Sequence, residues 1–204
     1  MTLLHLAVLT PFLYTVFVPF LYKFISRIHT GWFVLPVPLL LFGYFLSLLP
    51  YPSALEPFTA DWPWIPRLGV HFTVHLDSLS LLFALIITGI GSLVVLYSIF
   101  YMAKEREALH NFYVYLLLFM GAMLGVVLSD NLLVLYTFWE ITSFSSFLLI
   151  AYWYQRKRSR YGAVKSMLIT VTGGFAMLLG FLLLYAASGT FSVRELIAGA
   201  GQLT

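Results

Sequence analysis

Six stretches of the chain are apolar almost without interruption: Leu3–Tyr22, Trp32–Leu49, Leu79–Met102, Phe112–Leu128, Asn131–Trp153 and Ser166–Ala187. A helix crosses a bilayer with about 20 such residues. Transmembrane strands would be shorter and would alternate apolar with polar residues, which these runs do not. Each run is therefore predicted to be a spanning helix. The long connection Pro50–Ser78 carries Pro50, Pro52, Pro57, Pro63 and Pro66, which rule out a continuous helix. Within it, Val70–Asp77 alternates strictly. Val70, Phe72, Val74 and Leu76 take one face and His71, Thr73, His75 and Asp77 the other, as in a half-buried strand. After the sixth run, Phe191–Ile197 reads as a short amphipathic helix beginning after Ser192. The expected fold is an all-α integral membrane protein of about six transmembrane helices. Helices 1 and 2 fall in residues 1–49, the loop with its strand in 50–78, helices 3 to 6 in 79–187, and the tail in 188–204.

Composition agrees: 61% of residues are hydrophobic, 9% are charged, and mean hydropathy is +0.95. Soluble domains have roughly a quarter of their residues charged. The net charge of +3 does not point to nucleic acid, because the basic residues lie in loops between apolar runs. The first, third and fifth connections hold Lys23, Arg27, Lys104, Arg106, Arg156, Lys157, Arg158, Arg160 and Lys165. The opposite side holds Arg67 and Arg194. This asymmetry places the N-terminus, the long loop and the tail outside, and Arg156–Arg160 in the cytoplasm. The basic cluster can also bind anionic lipid, although topology suffices to explain it. The first run has no basic residue ahead of it and no small-x-small site behind it, so it is expected to be retained. There is no cysteine, hence no disulfide, iron–sulfur cluster or thiolate metal site. Nucleotide-loop, zinc and serine-histidine triad motifs are also missing. Gly89-Ile-Gly91 lies inside an apolar run and reads as helix packing.

The chemistry concentrates at Glu140, the one acid or base in Asn131–Trp153. At 1.5 Å per residue it lies roughly 13 Å in from Asn131, near the midplane. A carboxylate there costs at least about 2.5 kcal/mol, and such residues normally face a bundle interior or a water-filled path. Two readings stand: a structural lock paired with a cation, or a group that takes up and releases protons or binds a cation. Thr137 and Ser143 lie one helical turn either side and are candidate path-lining hydroxyls. No span contains a lysine, arginine or histidine at depth, so a cationic partner must come from another segment or chain. Asp77 and Asp130 each precede a span and read as N-caps, or as carboxylates gathering cations at an outer mouth. His71 and His75 on one strand face suggest a weak metal site, a solvated strand or a pH sensor; the sequence identifies no metal. Gly121-Ala-Met-Leu-Gly125 is a small-xxx-small packing signal. Gly173-Gly174 allows either tight packing or a local break in the sixth helix.

Leu76-Asp-Ser-Leu-Ser-Leu-Leu-Phe83, Gly89-Ile-Gly91 and Tyr97-Ser-Ile-Phe-Tyr-Met102 resemble the start of the antiporter-like membrane subunits. These occur in respiratory complex I and in Mrp-type multisubunit sodium/proton antiporters. Asn131-Leu-Leu through Phe138-Trp-Glu140 and on to Trp153 resembles their fifth helix, which carries the essential glutamate. The form Trp-Glu140-Ile-Thr-Ser-Phe-Ser-Ser-Phe-Leu-Leu-Ile is most similar to the A-subunit branch of the Mrp type. The resemblance covers essentially all 204 residues. It implies an outside β-hairpin between helices 2 and 3, and a lysine partner for Glu140 on a broken seventh helix beyond Thr204. The chain is thus expected to be an N-terminal portion, truncated or split from a longer subunit. Gly173-Gly174 departs from the Gly-Asp pair frequent in complex I relatives. The implied function is proton-motive-force-driven exchange of cytoplasmic sodium for external protons in a bacterial plasma membrane. It needs no organic cofactor, and its partners are the remainder of the A subunit, other Mrp-type subunits, lipid, Na+ and H+. The alternatives are a proton-pumping membrane subunit of an NADH–quinone or related oxidoreductase, and a non-transporting scaffold.

Overall fold

The computed structural model describes residues 2–24, 28–49, 58–65, 70–102 and 108–199. Arg27, Arg67, Lys104, Arg106 and most of the loop prolines lie outside these residues. In chain order the elements are α1 (Leu3–Phe24), α2 (Gly31–Val34), α3 (Pro36–Ser47), β1 (Phe58–Ala60), β2 (Pro63–Ile65), β3 (Val70–His71) and β4 (Val74–Leu76). They continue with α4 (Ser78–Tyr101), α5 (Leu109–Leu128), α6 (Leu132–Ile150), α7 (Lys157–Ser188) and α8 (Val193–Gly199). Among the described residues, five helices, α1, α4, α5, α6 and α7, are long and apolar enough to span a membrane. The expected second span is the shorter apolar run Gly31–Ser47. Helical backbone continues through Leu35, whose N–H donates to Gly31 C=O at 2.9 Å. Pro36 and Pro38 supply no N–H, so the hydrogen-bond ladder is interrupted there.

α7 differs most from the expected spans. It begins at Lys157 rather than Ser166 and runs 32 residues, about 48 Å, against a hydrocarbon core of about 30 Å. Lysine and arginine are good helix formers, so charge ends the membrane-embedded part of a helix without ending the helix. Gly189 closes it in the left-handed conformation at φ 74°, where glycine has no steric penalty.

The predicted strand folds back as one antiparallel hairpin. Phe58 pairs with Leu76, Thr59 with His75, and Ala60 with Val74. Trp62 and Phe72 exchange backbone hydrogen bonds of 3.2 and 2.8 Å, and Pro63 opposes His71. Val70, Phe72, Val74 and Leu76 are all buried, as the alternation required. His5 ties this hairpin to α1: its Nε2–H donates to Phe72 C=O at 2.9 Å while Nδ1 accepts from Thr2.

α5 is the central helix, packed against α1, α4 and α6. Its two glycines serve different neighbours. Phe12 and Pro11 of α1 lie over Gly121, and the Phe138 ring of α6 fills the space where a Gly125 Cβ would be. α7 packs on α6 and buries only Ala163 and Gly174.

Candidate ion-path site around Glu140

The cap at the start of α6 sets the register in which Glu140 sits. Asn131 adopts extended backbone, and its side-chain oxygen accepts from the N–H groups of Leu133 (3.0 Å) and Val134 (3.3 Å). Asn131 is therefore the N-cap, which corrects the expectation that Asp130 fills this role. Asp130 lies one residue early and turns toward the tail. Its carboxylate, 4% exposed, accepts from Ser192 Oγ (2.8 Å) and the Arg194 N–H (3.2 Å), with Arg194 Nε at 3.4 Å. Its backbone N–H donates to Thr73 C=O (2.9 Å), and its C=O accepts from the Val193 N–H (2.8 Å). Asp130 thus joins hairpin, α6 and α8.

Glu140 is the ninth of 19 residues of α6, next to its midpoint. Its side chain faces α7, and Oε1 rests against Gly174 where a Cβ would otherwise be; that Cβ would also lie 3.4 Å from Cδ. Among the described residues, Oε1 is buried without a hydrogen-bond partner, and no ion pair involves Glu140. The Tyr136 phenol, one turn back, is close enough to the carboxylate to interact with it. Thr137 and Ser143 do not bond the carboxylate. Their hydroxyls donate to the backbone carbonyls of Leu133 (2.9 Å) and Trp139 (3.2 Å). Serine and threonine in helices commonly bond back in this way. Thr137 also lines an apolar cleft of about 290 Å³ with Leu9, Phe12, Trp62, Phe72 and Phe138.

The candidate mouth residues divide into two groups. Asp77 caps α4 in a capping box: it accepts from the Ser80 N–H at 2.7 Å, while its own N–H donates to Ser80 Oγ at 2.8 Å. Partial burial opposes its ionisation. The Ser80 hydrogen bonds and the charge of His75 outweigh that and lower its pKa. Asp77, His75, Ser129, Asp130 and Arg194 line one cavity of about 270 Å³. His71 belongs elsewhere: Nδ1 contacts Asp61 at 2.7 Å, and Thr73 Oγ1 donates to the other Asp61 oxygen at 2.7 Å. Sequence reasoning missed Asp61, although a hairpin register pairing Ala60 with Val74 sets it beside Thr73 and His71. His75 points to Thr59, with 3.4 Å between Nδ1 and Oγ1. Among the described residues, no cluster of three or more histidine or carboxylate groups is arranged to hold a metal.

The fold defines a multi-pass membrane protein, with Glu140 near the middle of one of its apolar helices. Residues 62–113 match a family described as NADH-Ubiquinone oxidoreductase (complex I), chain 5 N-terminus. Residues 129–203 match one described as NADH:quinone oxidoreductase/Mrp antiporter, TM. The A subunit of the Na(+)/H(+) antiporter of Alkalihalophilus pseudofirmus is 62% identical over 204 residues, covering 100% of this chain and 25% of that relative. The A subunit of the Na(+)/H(+) antiporter of Bacillus subtilis is 62% identical over 197 residues, covering 97% and 25%. The fold matches a chain in the structure of the Mrp complex from Dietzia sp. DQ12-45-1b with a TM-score of 0.84 at 30% identity, covering 98% of this chain and 21% of that one. The chain thus matches two antiporter-like membrane-subunit families in succession, is similar over nearly its whole length to Na(+)/H(+) antiporter A subunits, and spans about a quarter of the length of the curated relatives it matches.

Proposed function

We propose that this chain is a portion of the A subunit of a sodium/proton antiporter driven by the proton motive force, with Glu140 as a proton-path carboxylate. The observation that carries this reading is the buried, unpartnered Oε1 of Glu140 at the midpoint of α6. In general, a cation brought close to a carboxylic acid favours its ionised form. A lysine from a segment beyond these 204 residues, as the resemblance implies, would approach and withdraw. Glu140 would then release and take up a proton in step with it. The Tyr136 phenol can hold the proton's hydrogen-bond partner oxygen in place. Thr137 and Ser143 extend the polar edge of α6 toward either side of the membrane. Asp77, Asp130, His71 and His75 stand on the side where external protons enter. The membrane is the plasma membrane of a bacterium, with the N-terminus and hairpin outside and Arg156–Arg160 in the cytoplasm, as the basic residues favour. The working assembly includes the remainder of the A subunit and the other Mrp-type subunits.

The test uses everted vesicles holding the complete complex and a fluorescent pH-gradient dye. Sodium is expected to collapse the gradient in wild type, not in Glu140→Ala, and partly in Glu140→Asp, with assembly of each complex checked. Full exchange by Glu140→Ala would leave only a scaffold role. A second reading, a proton-pumping subunit of an oxidoreductase, is favoured by the oxidoreductase named in the descriptions of both matched families, one of which also names the Mrp antiporter. It predicts that even wild type ignores sodium.

A further inference from the structure

The end of α6 and the starts of α5 and α7 enclose a cavity of about 660 Å³ on the basic face. Asn111 and Tyr115 come from α5, and Trp153, Tyr154, Gln155 and Arg156 from the turn into α7. That turn is held in shape. The Ala151 N–H donates to Phe147 C=O and the Arg156 N–H to Trp153 C=O, both at 2.9 Å. The Arg156 guanidinium lies 4.9 Å from the centre of the Trp153 ring, a cation–π contact that orients it.

Among the described residues, nothing compensates the positive charge of this corner; Glu105 and Glu107, just before Ala108, lie outside those residues. α7 starts without a side-chain cap and without an acid in its first turn; Lys157, Arg158 and Arg160 stand there instead. Helices favour acids at this positive end of the macrodipole, so these three cations stand against the usual preference. Among the described residues no carboxylate sits on this face. Asp61, Asp77, Asp130 and Glu195 belong to the hairpin side, and Glu140 lies at mid-span. The ion pairs among them, His71–Asp61 and Arg194–Asp130, are both on the hairpin side. The cavity also sits where the span ends, with Trp153 and Tyr154 at the depth where aromatic side chains meet lipid headgroups.

We propose that this cavity binds the headgroup of an anionic phospholipid from the leaflet it faces. Arg156 and the free N–H groups of the first turn of α7 take the phosphate, since a helix N-terminus and a planar guanidinium both suit it. Asn111, Gln155 and Tyr115 supply hydrogen bonds to the polar remainder of the headgroup. Lys157, Arg158 and Arg160 hold the surrounding potential positive.

The test is native mass spectrometry of the complete complex, delipidated in detergent. It is titrated separately with dioleoylphosphatidylglycerol, dioleoylphosphatidylcholine and inorganic phosphate. Phosphatidylglycerol is expected to bind more tightly than phosphatidylcholine. Arg156→Gln should weaken it about fivefold, the worth of one surface cation, and Arg156→Lys less. Equal binding of the two lipids, or no change in either Arg156 variant, overturns the proposal. Inorganic phosphate matching phosphatidylglycerol would make this a free-anion site and overturns it also, as would a protein segment filling the cavity in the complex. Because no transport is read, the outcome does not depend on the role of Glu140.

Discussion

Substituting two adjacent glycines of α7 separates packing from chemistry at Glu140. Glycine inside a helix costs roughly 0.5–1 kcal/mol relative to alanine. Around the missing Cβ of Gly173 nothing lies within 4 Å, so Gly173→Ala should collect that gain. Gly174→Ala collects the same gain but places its Cβ onto Glu140 Oε1, so the carboxylate must swing aside or α6 and α7 must part. Forced overpacking of this kind costs about 1–3 kcal/mol. The net change in stability is then between about 0 and 2.5 kcal/mol unfavourable, small enough for the complex to assemble. On the role proposed for Glu140, function should respond more, since misplacing a reacting group by about 1 Å can cost on the order of 100-fold. Sodium-driven collapse of the pH gradient in everted vesicles is expected to slow at least about tenfold in Gly174→Ala, a barrier change of about 1.4 kcal/mol, and to stay near wild type in Gly173→Ala. Glu140→Asp, one methylene shorter, should relieve the overlap. The Gly174→Ala/Glu140→Asp pair should therefore lose less than the sum of its parts. Identical exchange rates for the two glycine variants would refute the claim that Gly174 seats the carboxylate.

Two further predictions concern the hairpin side. Asn131→Ala should cost about 1 kcal/mol and loosen the first turn of α6. Asp130→Ala should instead leave Ser192 and the Arg194 N–H unpaired and cost about 1–3 kcal/mol. Hydrogen exchange distinguishes them, with faster exchange at 132–135 for the first and at 190–196 for the second. Asp61 supplies a pH dependence. Partial burial opposes its charge, but hydrogen bonds from Thr73 and His71 and the charges of His71 and His5 outweigh it and hold its pKa below the ordinary 3.8. The folded hairpin thus binds this proton less readily than the unfolded chain. The stabilisation is complete above 3.8 and fades as pH falls through the lower folded-state value. Amide exchange in 58–65 and 70–76 should accelerate there in wild type, and Asp61→Asn should remove that dependence.

The helices were legible because a bilayer imposes a length and a polarity that local sequence must meet. The hairpin face was legible because alternation has a period of exactly two. What escaped were decisions made between elements. Asp130 and Asn131 are both good capping residues one position apart, and the choice falls to Asn131 because Asp130 is drawn away by Ser192 and Arg194, 62 and 64 residues on. The hydroxyls of Thr137 and Ser143 share the carboxylate's side of the helix by spacing. They nevertheless spend their donors on carbonyls of their own helix, a preference that spacing does not encode. Asp61 went unnoticed because its partners depend on the hairpin register.

Gly174 carries the larger lesson. As a sequence feature it offered packing or a break; in the fold it is one of two buried residues of α7 and lies against Glu140. The resemblance to complex I subunits sets an acid in the Gly-Asp pair at this position. An aspartate at 174 would bring a second carboxylate to within contact of the first, and two like charges in a membrane interior cannot both ionise cheaply. One proton would then be shared by the pair. With glycine, α7 brings no second acid to Glu140. The same glycine that lets the helices close therefore also keeps a second carboxylate away from Glu140.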